Sequence, residues 1–150
     1  MYARRAIAGG AISGAGDFPG RLRSLAVGMD GKRKWGARNG RPWKRSYPGA
    51  RASCAYSGGR LYHMNAHGRV VCLDAATGRE KWAVDVLKRF EGKNITWAMS
   101  ECLLVDGPRV IVTPGSPTAL MAALDTETGR TMWATRPSSP EAANYGSPIL

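Results

Sequence analysis

A chain of 150 residues, 43% hydrophobic, is long enough for one packed domain, and nineteen Gly with nine Pro favour short strands and turns over long helices. No apolar run approaches the roughly eighteen residues that a membrane-spanning helix needs. The net charge of +11 is concentrated at one end: residues 1–51 hold twelve Lys/Arg against two Asp/Glu, and the remainder ten against nine.

Met1–Gly16 begins with Arg4 and Arg5 and continues in Ala, Gly and Ile. That order faintly resembles a signal peptide, but the glycines thin its apolar stretch, and it makes no clear one. Residues 1–24 show no strand alternation and no match to the repeats below. They are expected to form an irregular, basic, solvated segment. No recognition motif accompanies the charge, so no specific nucleic-acid binding is expected.

The first repeat copy is Met29-Asp30-Gly31-Lys32-Arg33-Lys34-Trp35, in which Asp-Gly is expected to close a two-residue hairpin. The second reads as four strands: Ser53–Tyr56, Arg60–Met64, Arg69–Leu73 and Arg79–Asp85, separated by turns rich in Gly, Asn and Asp. A longer link, Leu87–Met99, follows. The third copy repeats the plan in Cys102–Val105, Arg109–Thr113, Leu120–Leu124 and Arg130–Thr135. Gly146–Leu150 reads as the opening strand of a further unit. Residues 52–136 are thus expected to hold eight short antiparallel strands in two stacked sheets.

Both faces of the third strand of each clean copy are apolar. Val71 and Leu73 oppose Val70 and Cys72, and Leu120, Ala122 and Leu124 oppose Met121 and Ala123. A half-exposed sheet would alternate polar with apolar, so these sheets are expected to be covered on both sides.

The clean copies share a small residue, then Asp, Thr, Gly and Trp at one spacing. One runs Cys72, Asp74, Thr77, Gly78, Trp82 and the other Ala123, Asp125, Thr128, Gly129, Trp133, fifty-one residues later. Asp and Thr can accept from backbone N–H groups of a tight turn. Gly supplies positive φ where the hairpin closes. Trp brings a large ring and an indole N–H that needs an acceptor. The small residue is expected to make room for a tryptophan or turn from the neighbouring unit. Trp82 is expected to be buried, and Trp133 only half covered.

This pattern resembles the tryptophan-docking motif of the PQQ-like β-propeller repeat, found in quinoprotein alcohol dehydrogenases and BamB-type outer-membrane assembly proteins. The resemblance spans 25–150. It implies an all-β, partial propeller of about two and a half four-stranded blades, with Trp35, Trp82 and Trp133 and their turns holding blades together. It also implies a periplasmic or extracellular location, and partners that are proteins or further blades.

Catalytic residues are not recognised. Quinoprotein dehydrogenases use PQQ with Ca²⁺, a catalytic Asp and usually an adjacent Cys pair; here Cys54, Cys72 and Cys102 are separated and read as small hydrophobes. His63 and His67 bracket a strand-to-turn change, so a shared metal is not expected. His63, His67, Phe90 and Trp97 are candidates for a partner surface. The expected function is that of a non-catalytic binding or scaffold module without a cofactor; the alternative is a fragment of a PQQ-dependent dehydrogenase.

Overall fold

A computed structural model describes residues 6–149, apart from 19, 46, 47, 140–142 and 144 and the side chains of 6, 8, 17 and 18. Three four-stranded antiparallel sheets follow one another along the chain. The first contains β1 (Ala6–Ala8), β2 (Ala11–Phe18), β3 (Arg21–Gly28) and β4 (Arg33–Arg38). The second contains β5 (Ala55–Ser57), β6 (Arg60–Met64), β7 (Arg69–Asp74) and β8 (Glu80–Asp85). After one helical turn, α1 (Val86–Arg89), the third contains β9 (Leu104–Asp106), β10 (Arg109–Val112), β11 (Met121–Asp125) and β12 (Thr131–Thr135). Every strand pairs with its sequence neighbour, so each sheet is a meander closed by local turns. Among the first strands, β1 lies against β5 and β5 against β9. This is the layout of three blades of an open β-propeller.

The middle blade is covered on both faces. Leu61, Val71 and Leu73 pack toward Trp35 and Ala37 of the first blade. Val70, Cys72 and Val84 pack into the larger core shared with Val110, Val112, Ala122 and Leu124 of the third. This is why β7 reads apolar at each position from Val70 to Leu73. The outer blades differ. β3 buries Leu22, Ser24 and Ala26 toward the middle blade, and the residues between them stay partly exposed. All five residues of β12 are exposed.

Two expectations need correction. The segment 6–24 is not irregular: it supplies β1, β2 and the start of β3, making three blades where two and a half were expected. Its strands are built largely from Ala, Gly and Ser, and only one face is packed, so the usual β-branched alternation is missing. Arg4 and Arg5 lie outside the described residues. The Asp30-Gly31 hairpin is also different. The turn is Gly28–Gly31, with the Gly31 N–H donating to the Gly28 carbonyl at 2.9 Å and Gly31 at φ 77°. Its strands carry a bulge at Ala26/Val27.

The eight strands expected within 52–136 are present, and one unexpected helical turn joins the two blades. Asp85 caps it by accepting from the Lys88 N–H at 2.9 Å, and Val86, Leu87 and Phe90 bury its inner side. Residues 146–149 are not in a strand; the Ser147 hydroxyl accepts from the Cys102 N–H at 2.9 Å. Leu150 lies outside the described residues.

Candidate functional sites: the docking turns and a basic cleft

The repeated motif forms the same turn twice. Asp74 Oδ1 accepts from the N–H groups of Ala76 and Thr77 at 3.1 and 2.9 Å and from Thr77 Oγ1 at 2.8 Å. Asp125 Oδ1 does the same with Glu127 and Thr128, at 3.1, 2.8 and 2.7 Å. These bonds hold both carboxyls below the usual carboxylate range, the Thr side-chain bond contributing most. Gly78 and Gly129 then close the turns at φ 72° and 68°.

Each tryptophan reaches the turn of the next blade. Trp35 Nε1 donates to the Ala75 carbonyl at 3.0 Å, and Trp82 Nε1 to the Thr126 carbonyl at 2.9 Å. In both cases the acceptor is the residue after the motif Asp. The ring lies on the motif Gly: a Cβ on Gly78 would sit 2.5 Å from Trp35, and one on Gly129 2.7 Å from Trp82. Glycine is thus required for backbone angle and for contact alike. Gly129→Ala is expected to lower stability by about 2 kcal/mol, combining a strained left-handed residue with overpacking, as read by urea denaturation.

The small residue also faces the tryptophan of its own blade. Cys72 pairs across the ladder with Trp82 of its own blade, and Ala123 with Trp133. In the first blade Ala26 pairs with Trp35. Paired residues share a sheet face, so a small side chain lets its own tryptophan lean over the strand. Tyr62, paired with Cys72, extends this row; its hydroxyl also donates to the Thr126 carbonyl at 3.3 Å. Arg60 and Glu127 add a salt bridge between the second and third blades.

Trp82 is 9% exposed and Trp133 39% exposed. Trp133 occupies the same register as Trp82, but among the described residues no turn receives it. At the opposite end, Gly31 has open space beside it.

Of the partner-surface candidates, His63 and Phe90 are core residues. His63 sits between the first two blades, its Nδ1 3.1 Å from both Ser24 Oγ and Asn39 Nδ2. Burial pulls its imidazole down to about 4, partly opposed by the Ala52 backbone, so it is neutral near pH 7. His67 is partly exposed and Trp97 is 51% exposed. His63 and His67 do not converge, and no group of three His, Cys, Asp or Glu is placed to hold a metal among the described residues. The three cysteines are free; burial pushes the Cys54 thiol up to about 12 and Cys72 to about 11. Free and separated in the chain, these cysteines do not supply the adjacent Cys pair of a PQQ site.

A polar network missed in the sequence anchors the link between the first two blades. Asn39 Nδ2 donates to the His63 carbonyl at 3.2 Å, and Asn65 Nδ2 donates to the Asn39 carbonyl at 2.9 Å. Arg69 joins Asn39 Oδ1 at 2.8 Å to Glu80 at 2.9 Å. The network directs the following residues, Arg41–Arg45, over an open cleft of about 720 Å³. Gly20 from the β2–β3 turn, His67 from the β6–β7 turn and Asn94–Thr96 from the inter-blade link complete its walls. Trp43 is buried under this segment against Ala66 and Ala98, with the Arg45 guanidinium 5.8 Å from its ring centroid. No lining residue identified is a carboxylate. The only sequence signal was Arg41-Pro-Trp-Lys-Arg, whose partners lie far away in the chain.

The geometry defines an open propeller of PQQ-like blades. The family model described as outer membrane protein assembly factor BamB matches residues 20–150, and the chain belongs to that PQQ-like repeat family. Among solved structures it is similar to BamB from Moraxella catarrhalis, at 21% identity and TM-score 0.62, over 85% of this chain and 34% of that one. It is also similar to quinohemoprotein alcohol dehydrogenase from Comamonas testosteroni, at 21% identity and TM-score 0.63, over 94% and 22%. A europium-containing methanol dehydrogenase matches at 20% identity and TM-score 0.63, over 88% and 24%. The chain therefore spans between about a fifth and a third of these structures, and the likeness is one of fold. No curated protein matches.

Proposed function

We propose that the chain is a non-catalytic binding or scaffold module of the cell envelope, and that its β12 face docks a further PQQ-like blade. The supporting observation is Trp133: it repeats the register of Trp82 and leaves its indole without a receiving turn among the described residues. A further Asp-x-x-Thr-Gly turn would supply a carbonyl and a bare glycine for it, as Thr126 and Gly129 do for Trp82. The envelope location rests on the family alone.

The 150-residue chain is expected to self-associate with rising concentration in sedimentation velocity, because β12 presents an unpaired strand edge and an apolar ring. Trp133→Lys should weaken that association about tenfold, as loss of a central aromatic anchor would; an unchanged concentration dependence would count against the docking face. PQQ with Ca²⁺ separates this function from that of a dehydrogenase fragment. Neither tight PQQ binding nor dye-linked alcohol oxidation is expected, and binding with turnover would favour the dehydrogenase.

A further inference from the structure

We infer that the cleft over Trp43 is a second binding site, whose ligand is an acidic, extended peptide segment of a partner protein. The charge there is unspent. Arg60, Arg69, Lys81 and Arg109 each have a carboxylate partner within the fold. Arg41, Lys44 and Arg45 are exposed and form no ion pair among the described residues. They project from a five-residue stretch into a concave site that His67 also lines. Like charges held together without a counter-charge raise the local potential and attract anions.

The details favour a peptide over other polyanions. Trp43 is only 7% exposed and engaged by Arg45, so its ring is not free to stack on a nucleobase. Among the described residues the nearby helix, α1, is a single turn, which offers no anchored phosphate cradle. Asn94 and Thr96 add polar wall groups, and beside Thr96 the exposed Trp97 ring lies 5.4 Å from that of Tyr145. A basic cleft with an exposed aromatic pair that starts one residue beyond its Thr96 wall suits a segment in which Asp or Glu stands near an apolar side chain.

The cleft is also separate from the blade-docking turns. Strand direction puts Gly20 and His67 at one end of the blades, and Gly28–Gly31 and Asp74–Gly78 at the other. Peptide binding and docking at β12 can therefore be tested independently.

The test is fluorescence anisotropy of the full chain with a short labelled peptide of alternating Glu and Phe, at about 0.15 M salt. Saturable binding is expected. Arg41→Glu with Arg45→Glu should weaken it about tenfold or more, whereas Lys32→Glu with Arg33→Glu, equal in charge but at the far end, should change it less than about twofold. Trp97→Ala should weaken this peptide more than an all-Glu peptide. If the reversal variant loses its native far-UV spectrum, Arg41→Gln with Arg45→Gln replaces it, with loss of binding again expected. Absence of saturation would overturn the site, as would equal loss in the far-end variant. Tighter binding of a duplex oligonucleotide, or full displacement by equimolar pyrophosphate, would reject a peptide as its ligand.

Discussion

Replacing Trp82 by alanine is expected to lower the stability of the chain by about 3–5 kcal/mol, while the same change at Trp133 loses about 1 kcal/mol or less. The two residues share a motif and a register, so the difference isolates what the next blade contributes. Trp82 is buried, tilts 45° against Tyr62 with ring centroids 6.0 Å apart, covers Gly129 and donates to the Thr126 carbonyl. Alanine would remove the ring and open a cavity in the core between the second and third blades. Trp133 is already 39% exposed and has no receiving turn among the described residues, so less burial and no inter-blade bond is lost there. Trp82→Phe should fall between, at about 1–2 kcal/mol. Phenylalanine keeps most of the apolar area, and the Tyr62 hydroxyl still satisfies the Thr126 carbonyl. Urea titrations followed by far-UV circular dichroism would measure all three. A loss below about 1 kcal/mol for Trp82→Ala, or equal losses at both tryptophans, would refute the inter-blade staple.

The parts of this architecture legible in the sequence are those fixed by local chemistry. Asp74, Thr77 and Gly78 bond within a few residues, and their order and spacing alone define the turn. The apolar faces of β7 likewise announce two neighbours. Ala11–Phe18 was not legible, because a blade packed on one side can be made from small residues that carry no strand signal. His63 could not be placed for the opposite reason: in a strand covered on both faces, alternation no longer distinguishes inside from outside. The pairing of the small motif residue with the tryptophan of its own blade is not legible, since cross-strand register is not visible in spacing along one strand. The basic cleft is assembled from residues 20, 41–45, 67 and 94–96, brought together by turns of two blades. Only the clustered cations of its central stretch stand out in the chain.

Two buried titratable groups should make stability nearly independent of pH between about 4.5 and 6.5, and Glu101→Gln should expose the dependence that they conceal. Glu101 is 1% exposed; its Oε2 accepts from the Thr113 N–H at 3.1 Å, and Oε1 has no hydrogen-bond partner among the described residues. Burial pushes its carboxyl up to about 7, from 4.5, with the Thr113 bond opposing. Between those values the native chain holds a proton that the unfolded chain has released. Stability from Glu101 is therefore greatest below about 4.5 and falls by about 3 kcal/mol as pH rises to 7. His63 acts with the opposite sign. Its native value is about 4 against 6.5, so between these the unfolded chain holds the extra proton. Its contribution is present above 6.5 and is lost, by about 3 kcal/mol, as pH falls through 4. The slopes cancel where the windows overlap. Glutamine at 101 can still accept from Thr113 and removes the buried charge. The variant should match the wild type near pH 4.5, gain about 3 kcal/mol over it by about pH 8, and show the rising His63 slope between about 4 and 6.5. His63→Gln should reveal the falling Glu101 slope. Asp74 and Asp125, held below their usual range, titrate on the acid side of this window. Urea midpoints at half-unit intervals, about pH 4 to 8, would decide: parallel curves for wild type and Glu101→Gln would show that Glu101 ionises normally in the folded chain.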